Sequence, residues 1–89
     1  MSRTRVSVAM ATYNGEQFIR EQLESILAQT LLPSEIVITD DRSSDATLSI
    51  VHEVLSDEVC RSRGISLIVH INETNLGPGG NFQHAISLC

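Results

Sequence analysis

The sequence predicts an α/β fold in three layers, six elements alternating β-α-β-α-β-α over a parallel sheet. Three observations predict it. Three short apolar runs (Val6 to Ala11, Glu35 to Thr39 and Ile65 to Ile71) are spaced along the chain by roughly 30 residues, the length of a βα unit. After each run, apolar residues recur at helical spacing on an otherwise polar segment. A cluster of small and polar residues follows each run directly. Parallel strands must be joined by crossovers, and right-handed crossovers through helices place those helices on the faces of the sheet.

Each element has its own signal. In the first run Val6, Val8 and Met10 share one face, while the small Ser7, Ala9 and Ala11 on the other permit close cover by a helix. Ile19, Leu23, Ile26 and Leu27 then form one apolar stripe, and Pro33 marks the exit from that helix because its ring cannot continue one. The second run is continuously apolar, as in a strand buried on both faces. Leu48, Val51, Leu55 and Val59 predict a second helix, with Asp45 as its N-cap and Gly64 as its breaker. The third run is rich in β-branched residues. A last helix follows, carrying Phe82, Ala85, Ile86 and Cys89 on one stripe and opened by the stretch Gly77-Pro78-Gly79-Gly80-Asn81.

Composition narrows the function. Apolar residues make up 42% of the 89 residues and aromatics only 3%, so one globular domain is the ceiling and its core rests on Val, Ile, Leu and Ala. A net charge of −5, with Arg3 and Arg5 as the only basic cluster, argues against a nucleic-acid partner, whose phosphates need clustered cations. No apolar run approaches the ~20 residues that span a bilayer, and no signal-peptide region precedes the first strand. Cys60 and Cys89 form no CxxC pair and read as reduced thiols of a cytoplasmic protein. Asn72-Glu73-Thr74 matches a glycosylation sequon by chance.

In open α/β sheets ligands bind at the carboxyl ends of the strands. Three polar clusters fall there: Thr12-Tyr13-Asn14-Gly15, Asp40-Asp41-Arg42-Ser43, and Asn72 to Asn81. Asp40 and Asp41 are adjacent carboxylates at a strand end. Either one caps the next helix while the other is solvated, or one recognises a nucleobase: a pyrimidine offers an N3–H donor that a fixed carboxylate complements. Tyr13 is the single Tyr of the chain, placed to flank such a base or merely to cover the sheet edge. The Gly-rich stretch is neither a P-loop nor a dinucleotide fingerprint; its glycines serve a tight turn, or its free N–H groups receive a phosphate. His52, His70 and His84 lack metal spacing and read as structural.

At these motifs the chain resembles family 2 inverting glycosyltransferases. The run Val6 to Gly15 is similar to their opening strand, Leu27 to Thr47 (LAQTLLPSEIVITDDRSSDAT) to their second motif, and Asn75-Leu76-Gly77 with Asn81 to their third segment. The Leu-Pro before the second strand and the Asn-Leu-Gly segment look most like a rhamnosyltransferase-like subgroup. The resemblance implies a Rossmann-like fragment, the nucleotide-binding N-terminal half of a GT-A glycosyltransferase domain. It also implies a UDP- or dTDP-sugar donor and a polysaccharide or lipid-linked acceptor in cell-surface glycan synthesis. Its nucleotide-binding positions fall on Thr12, Tyr13, Asn14, Asp40, Asp41 and Asn81, with Asp41 as the base-recognising carboxylate. Two departures stand out: Arg42 replaces a frequent Gly, and Gly80 occupies a position that is often basic.

The family's Asp-rich strand end, which binds Mg or Mn on the donor diphosphate, and its later catalytic base have no counterpart in these residues. The expectation is therefore a single partial domain over 1–89, truncated before the metal motif, with no catalytic or metal-binding residue of its own and no activity alone. In the family sheet the first strand lies inside, so here it should stand at an edge and promote self-association. The full-length protein is expected in the cytoplasm, peripheral to the inner membrane. Rival readings remain: a dinucleotide oxidoreductase, for which the acid ending the second strand is present but the Gly-rich turn after the first is not; a receiver-like module, whose paired acids would follow the first strand; and a binding or assembly piece without catalysis.

Overall fold

The computed structural model describes residues 6–29 and 32–89. Arg3, Arg5 and the Thr30 of the second motif lie outside the described residues. Seven elements follow in order: β1 (Ser7–Thr12), α1 (Ile19–Leu27), β2 (Glu35–Asp40), α2 (Thr47–Val54), α3 (Asp57–Arg63), β3 (Ser66–Ile71) and α4 (Gly77–Ser87). The three strands form one parallel sheet in the order β1-β2-β3, with Ile36 aligned to Val8 on one side and to Leu67 on the other.

The central place of β2 explains its unbroken apolar sequence. Ile36, Val37 and Ile38 are all fully buried, because helices cover both faces of this strand. On one face Ile36 and Ile38 meet Ile19 and Leu23 of α1, Val51 of α2, Leu55, Cys60 of α3 and Ile65, with Val8, Met10, Leu67 and Val69 packed around them. Full burial of one such Ile or Leu contributes about 1.5–3 kcal/mol, so this face carries most of the stability. On the other face α4 lies over β1 and β2. The small Ala9 and Ala11 leave room for it, and Ala85 is wholly enclosed there.

Two expectations are corrected. The single second helix is in fact two. Leu55 leaves helical geometry at ψ 57, and Ser56 starts α3 by accepting a hydrogen bond from the Val59 N–H at 3.2 Å. A Ser hydroxyl offers the backbone this alternative to continuing a helix. The acids Asp57 and Glu58 in the first turn, and Arg61 and Arg63 in the last, suit the dipole of the new helix. The buried position then passes to Cys60 while Val59 is only half-buried. Gly64 closes α3 at φ 69, a left-handed conformation that favours glycine. On α4, only Ala85 of the expected apolar stripe is buried. Phe82 and Ile86 are half exposed, because the face turned to the sheet is that of Asn81 and Ala85.

Among the described residues β1 pairs with β2 alone and stands at the sheet edge, as expected. No helix of the described residues is long and apolar enough to cross a membrane.

Candidate functional site

Among the described residues seven polar side chains are buried: Thr12, Thr39, Asp40, Asp41, Thr47, Asn72 and Asn81. All lie at or near the carboxyl end of the sheet or on the elements that close over it. Among the described residues no buried side-chain nitrogen or oxygen lacks a partner. The polar end of the sheet is therefore a built network and not a leak in the core.

The strand pleat divides Asp40 from Asp41. Successive side chains point to opposite faces, so Asp40 shares the α1 and α2 side with Ile36 and Ile38. There it is fully buried and accepts from the Thr12 hydroxyl at 2.7 Å, from the Ser43 N–H at 2.7 Å and from the Ser43 hydroxyl at 2.6 Å. Asn14, at φ 48, belongs to the same seam: its N–H donates to Ser43 Oγ at 2.8 Å and its Oδ1 accepts from the Ser44 N–H at 2.8 Å. Gly15 and Glu16 continue the seam, donating to Thr47 Oγ1 and Asp45 Oδ2. Asp45 does not cap α2 from the N-cap position, which falls on Ala46. It still accepts from the Thr47 N–H at 3.0 Å and from the Thr47 hydroxyl. The Thr47 hydroxyl holds the Asp45 carboxyl below its ordinary range against the opposing effect of burial, with the Thr47 and Glu16 N–H groups helping.

Asp41 turns the other way, toward α4. Its Oδ1 accepts from the Leu76 N–H at 2.7 Å and from the Asn72 amide at 3.0 Å, and its Oδ2 from the Gly77 N–H at 3.0 Å. The Leu76 N–H is the main reason its pKa is lowered. Burial opposes, and Asn72, Gly77 and Asn75 reinforce the lowering. The N–H groups of Leu76 and Gly77, at the start of α4, thus face an anion supplied by the chain itself.

Around Asp41 opens a cleft of about 590 Å³ lined by Ala11, Thr12, Tyr13, Asp41, Asn75, Gly77 and Asn81. Of the six positions singled out in the sequence, Thr12, Tyr13, Asp41 and Asn81 border it, while Asn14 and Asp40 do not. Tyr13 is 58% exposed and presents its ring to the opening. Asn75 and Asn72 were not singled out individually. Their signal was position, since Asn72 follows β3 as Asp41 follows β2. Asn75 donates to the Asp41 carbonyl at 2.6 Å. Arg42, at φ 64, sends its guanidinium to the Glu73 carbonyl at 2.7 Å, tying the loop after β2 to the loop after β3. A second depression of about 560 Å³, lined by His52, Asp57, Cys60, Arg61, Ile65, Leu67 and Val69, lies beside α3, where burial pushes the Cys60 thiol up.

Among the described residues no group of three or more His, Cys, Asp or Glu is placed to hold a metal ion. Asp40 and Asp41 each accept three hydrogen bonds from protein donors. These residues do not fit a divalent cation, and no step below runs through one.

With this geometry in view, three comparisons are informative. A family model described as glycosyl transferase family 2 matches residues 7–89. The dTDP-rhamnosyl transferase RfbG of Shigella flexneri is 40% identical over 77 residues, covering 86% of this chain and 25% of that protein. Among solved structures, S. aureus TarS in complex with UDP superposes with a TM-score of 0.76 at 36% identity, over 97% of this chain and 24% of that one. The mannosyltransferase PcManGT of Pyrobaculum calidifontis, in complex with GDP-Man and Mn2+, superposes with a TM-score of 0.79 at 26% identity, over 99% and 25%. The chain spans between 15% and 29% of the length of the curated relatives it matches.

Proposed function

The chain belongs to glycosyl transferase family 2, and from that membership we propose that its cleft binds the nucleotide of a UDP- or dTDP-sugar. In the full-length protein this cleft serves inverting transfer of the sugar to a polysaccharide or lipid-linked acceptor, in the cytoplasm or at the inner membrane. The observation that carries the base reading is that Asp41, unlike Asp40, borders the cleft and uses its two oxygens unequally. A carboxylate offers about four acceptor positions. Among the described donors, Oδ1 takes two and Oδ2 takes one. Oδ2 is therefore the less occupied of the two oxygens. Uracil and thymine present a single N3–H donor beside carbonyl oxygens, which matches it. Guanine presents N1–H and an exocyclic amine side by side and asks for both oxygens. Tyr13, which also lines the cleft, would flank the base. The UDP bound by TarS supports this reading, and the dTDP-rhamnosyl relative is consistent with it.

The described residues supply neither a metal site nor a base aimed at an acceptor hydroxyl. On this reading the 89 residues alone bind nucleotide and transfer nothing, with or without magnesium or manganese. Inversion needs both a base and charge neutralisation of the leaving diphosphate. We also propose self-association through β1, because that strand is an edge and Phe82 and Ile86 stand half exposed nearby on α4.

Titration calorimetry with UDP, dTDP and GDP tests the site. UDP and dTDP should bind at least tenfold more tightly than GDP, and Asp41→Asn should abolish that preference in a folded sample. Equal affinity for all three, or a preference that survives the substitution, would remove Asp41 from base recognition.

A further inference from the structure

Behind the cleft, and not part of its lining, stands a buried polar residue whose side-chain hydrogen bonds run to Asp41, Asn81 and His84. Asn72, only 2% exposed, stands at the end of β3. Its amide nitrogen donates twice, to Asp41 Oδ1 at 3.0 Å and to Asn81 Oδ1 at 2.8 Å. Asn81 in turn donates its own amide to the Thr12 carbonyl at 3.1 Å, so its oxygen must face Asn72. Both acceptors of Asn72 are thereby fixed, and the orientation of its side chain follows without choice. Its oxygen then faces Nδ1 of His84 on α4, at 2.9 Å. Two acceptors cannot share a hydrogen bond, so His84 must carry a proton on Nδ1.

From this chain of contacts we infer that Asn72 is the positioning residue of the nucleotide cleft, held in its orientation by the Nδ1–H of His84. The inference rests on the reading of Asp41 as the base-recognising carboxylate. Asn72 aims Asp41 by occupying Oδ1, which leaves Oδ2 the less occupied oxygen. It also locks Asn81, the α4 residue that borders the cleft beside Thr12. Leu76 and Gly77 alone hold the carboxylate from one side, the start of α4. Asn72 adds the third point, from β3, that stops rotation about χ2. His84 does the same for Asn72 from the next turn of α4 after Asn81. The edge-on contact between the rings of His70 and His84, with centroids 4.8 Å apart, fixes the plane of the His84 ring. The other ionisable neighbours of Asp41 are engaged elsewhere: Asp40 with Thr12 and Ser43, and Arg42 with the Glu73 carbonyl.

Asn72→Asp is the diagnostic variant, because it keeps the shape and replaces two donors by a second carboxylate. In nuclear magnetic resonance titrations of the ligand-free protein, Asp41 should titrate at higher pH in Asn72→Asp than in the parent. Asn72→Ala should shift it the same way, by less. The imidazole of His84 in the parent should carry a proton on Nδ1. UDP affinity should fall about tenfold or more in Asn72→Asp at neutral pH, and recover as pH is lowered and one carboxyl of the pair takes a proton. A purely structural loss would show no such recovery. An unshifted Asp41 in a folded variant, or a His84 without a proton on Nδ1, would overturn the inference. If neither variant folds, the Nδ1 proton of His84 in the parent decides alone. A parent that fails to bind UDP while showing the predicted Nδ1 proton and Asp41 shifts would sink the nucleotide reading and leave the positioning network standing.

Discussion

Asn81 of α4 donates its side-chain amide to the main-chain carbonyl of Thr12 at the end of β1, across 3.1 Å of space and 69 positions of sequence. The same carbonyl accepts from the Asp41 N–H at 2.9 Å, so β1, β2 and α4 converge on one oxygen. The Asn81 main chain is held as well, since its carbonyl accepts from the Thr39 hydroxyl at 2.9 Å. This places the N-terminal turn of the last helix over the cleft.

Asn81→Ala should lower stability by about 1–3 kcal/mol, because it leaves one amide hydrogen of Asn72 buried and unpaired. Urea unfolding with an unchanged slope and a lower midpoint is the expected result. A loss below a few tenths of a kcal/mol would mean that water replaces the amide and that the convergence does not hold α4 in place.

The break between α2 and α3 is attributed to Ser56, and the end of α3 to Gly64. Ser56→Ala removes the cap on the Val59 N–H and should cost about 1 kcal/mol. Gly64→Ala forces a Cβ into left-handed geometry at φ 69, again at about 1 kcal/mol. Thermal melts should show both losses. No loss in Ser56→Ala would mean that packing of Cys60 and Leu55, and not the cap, splits the helix.

Acid should destabilise the fold through Asp41 and Asp45. Both carboxyls have pKa values lowered in the folded chain, Asp41 chiefly by the Leu76 N–H and Asp45 chiefly by the Thr47 hydroxyl. A lowered folded pKa means that the unfolded chain binds protons first. The stabilisation is therefore complete above the unfolded carboxylate range, near pH 4, and is lost as pH falls through the folded values. Denaturation midpoints should be flat with respect to these two groups between pH 6 and 8 and fall below about pH 4. Asp41→Asn should flatten part of that fall. An unchanged acid profile in the variant would contradict the assignment.

Self-association should depend on outward-facing N–H groups of β1. The carbonyls of Val6 and Thr12 accept from Glu35 and Asp41, so the even-numbered positions bond to β2 and Ser7, Ala9 and Ala11 turn their backbone groups outward. Ser7→Pro deletes one outward donor without touching the β1–β2 ladder. Light-scattering mass at micromolar concentration should show an assembly for the parent and a shift toward monomer for the variant. A parent that is a stable monomer, unchanged on dilution, would end the proposal.

The alternation of strands and helices was legible in the sequence because period and composition are local. The continuous apolar run of β2 already required cover on both faces, and Ala9 and Ala11 already announced the close helix. Asp40-Asp41 could be read as a pair at a strand end, and the pleat even implied that the two point apart. What the sequence could not state is which face carries the cleft. That depends on where α4 lies, and α4 is placed by contacts between residues dozens of positions apart. Only the folded chain separates Asp40 and Asn14, which stitch two loops together, from Asp41, Tyr13 and Asn81, which border the cleft. The split of the second helix at Ser56 and the role of Asn72 were hidden for the same reason. A cap competes with a continuing helix by a margin of about 1 kcal/mol, which packing decides. An amide gains its role only when three elements bring acceptors and a donor to its two ends.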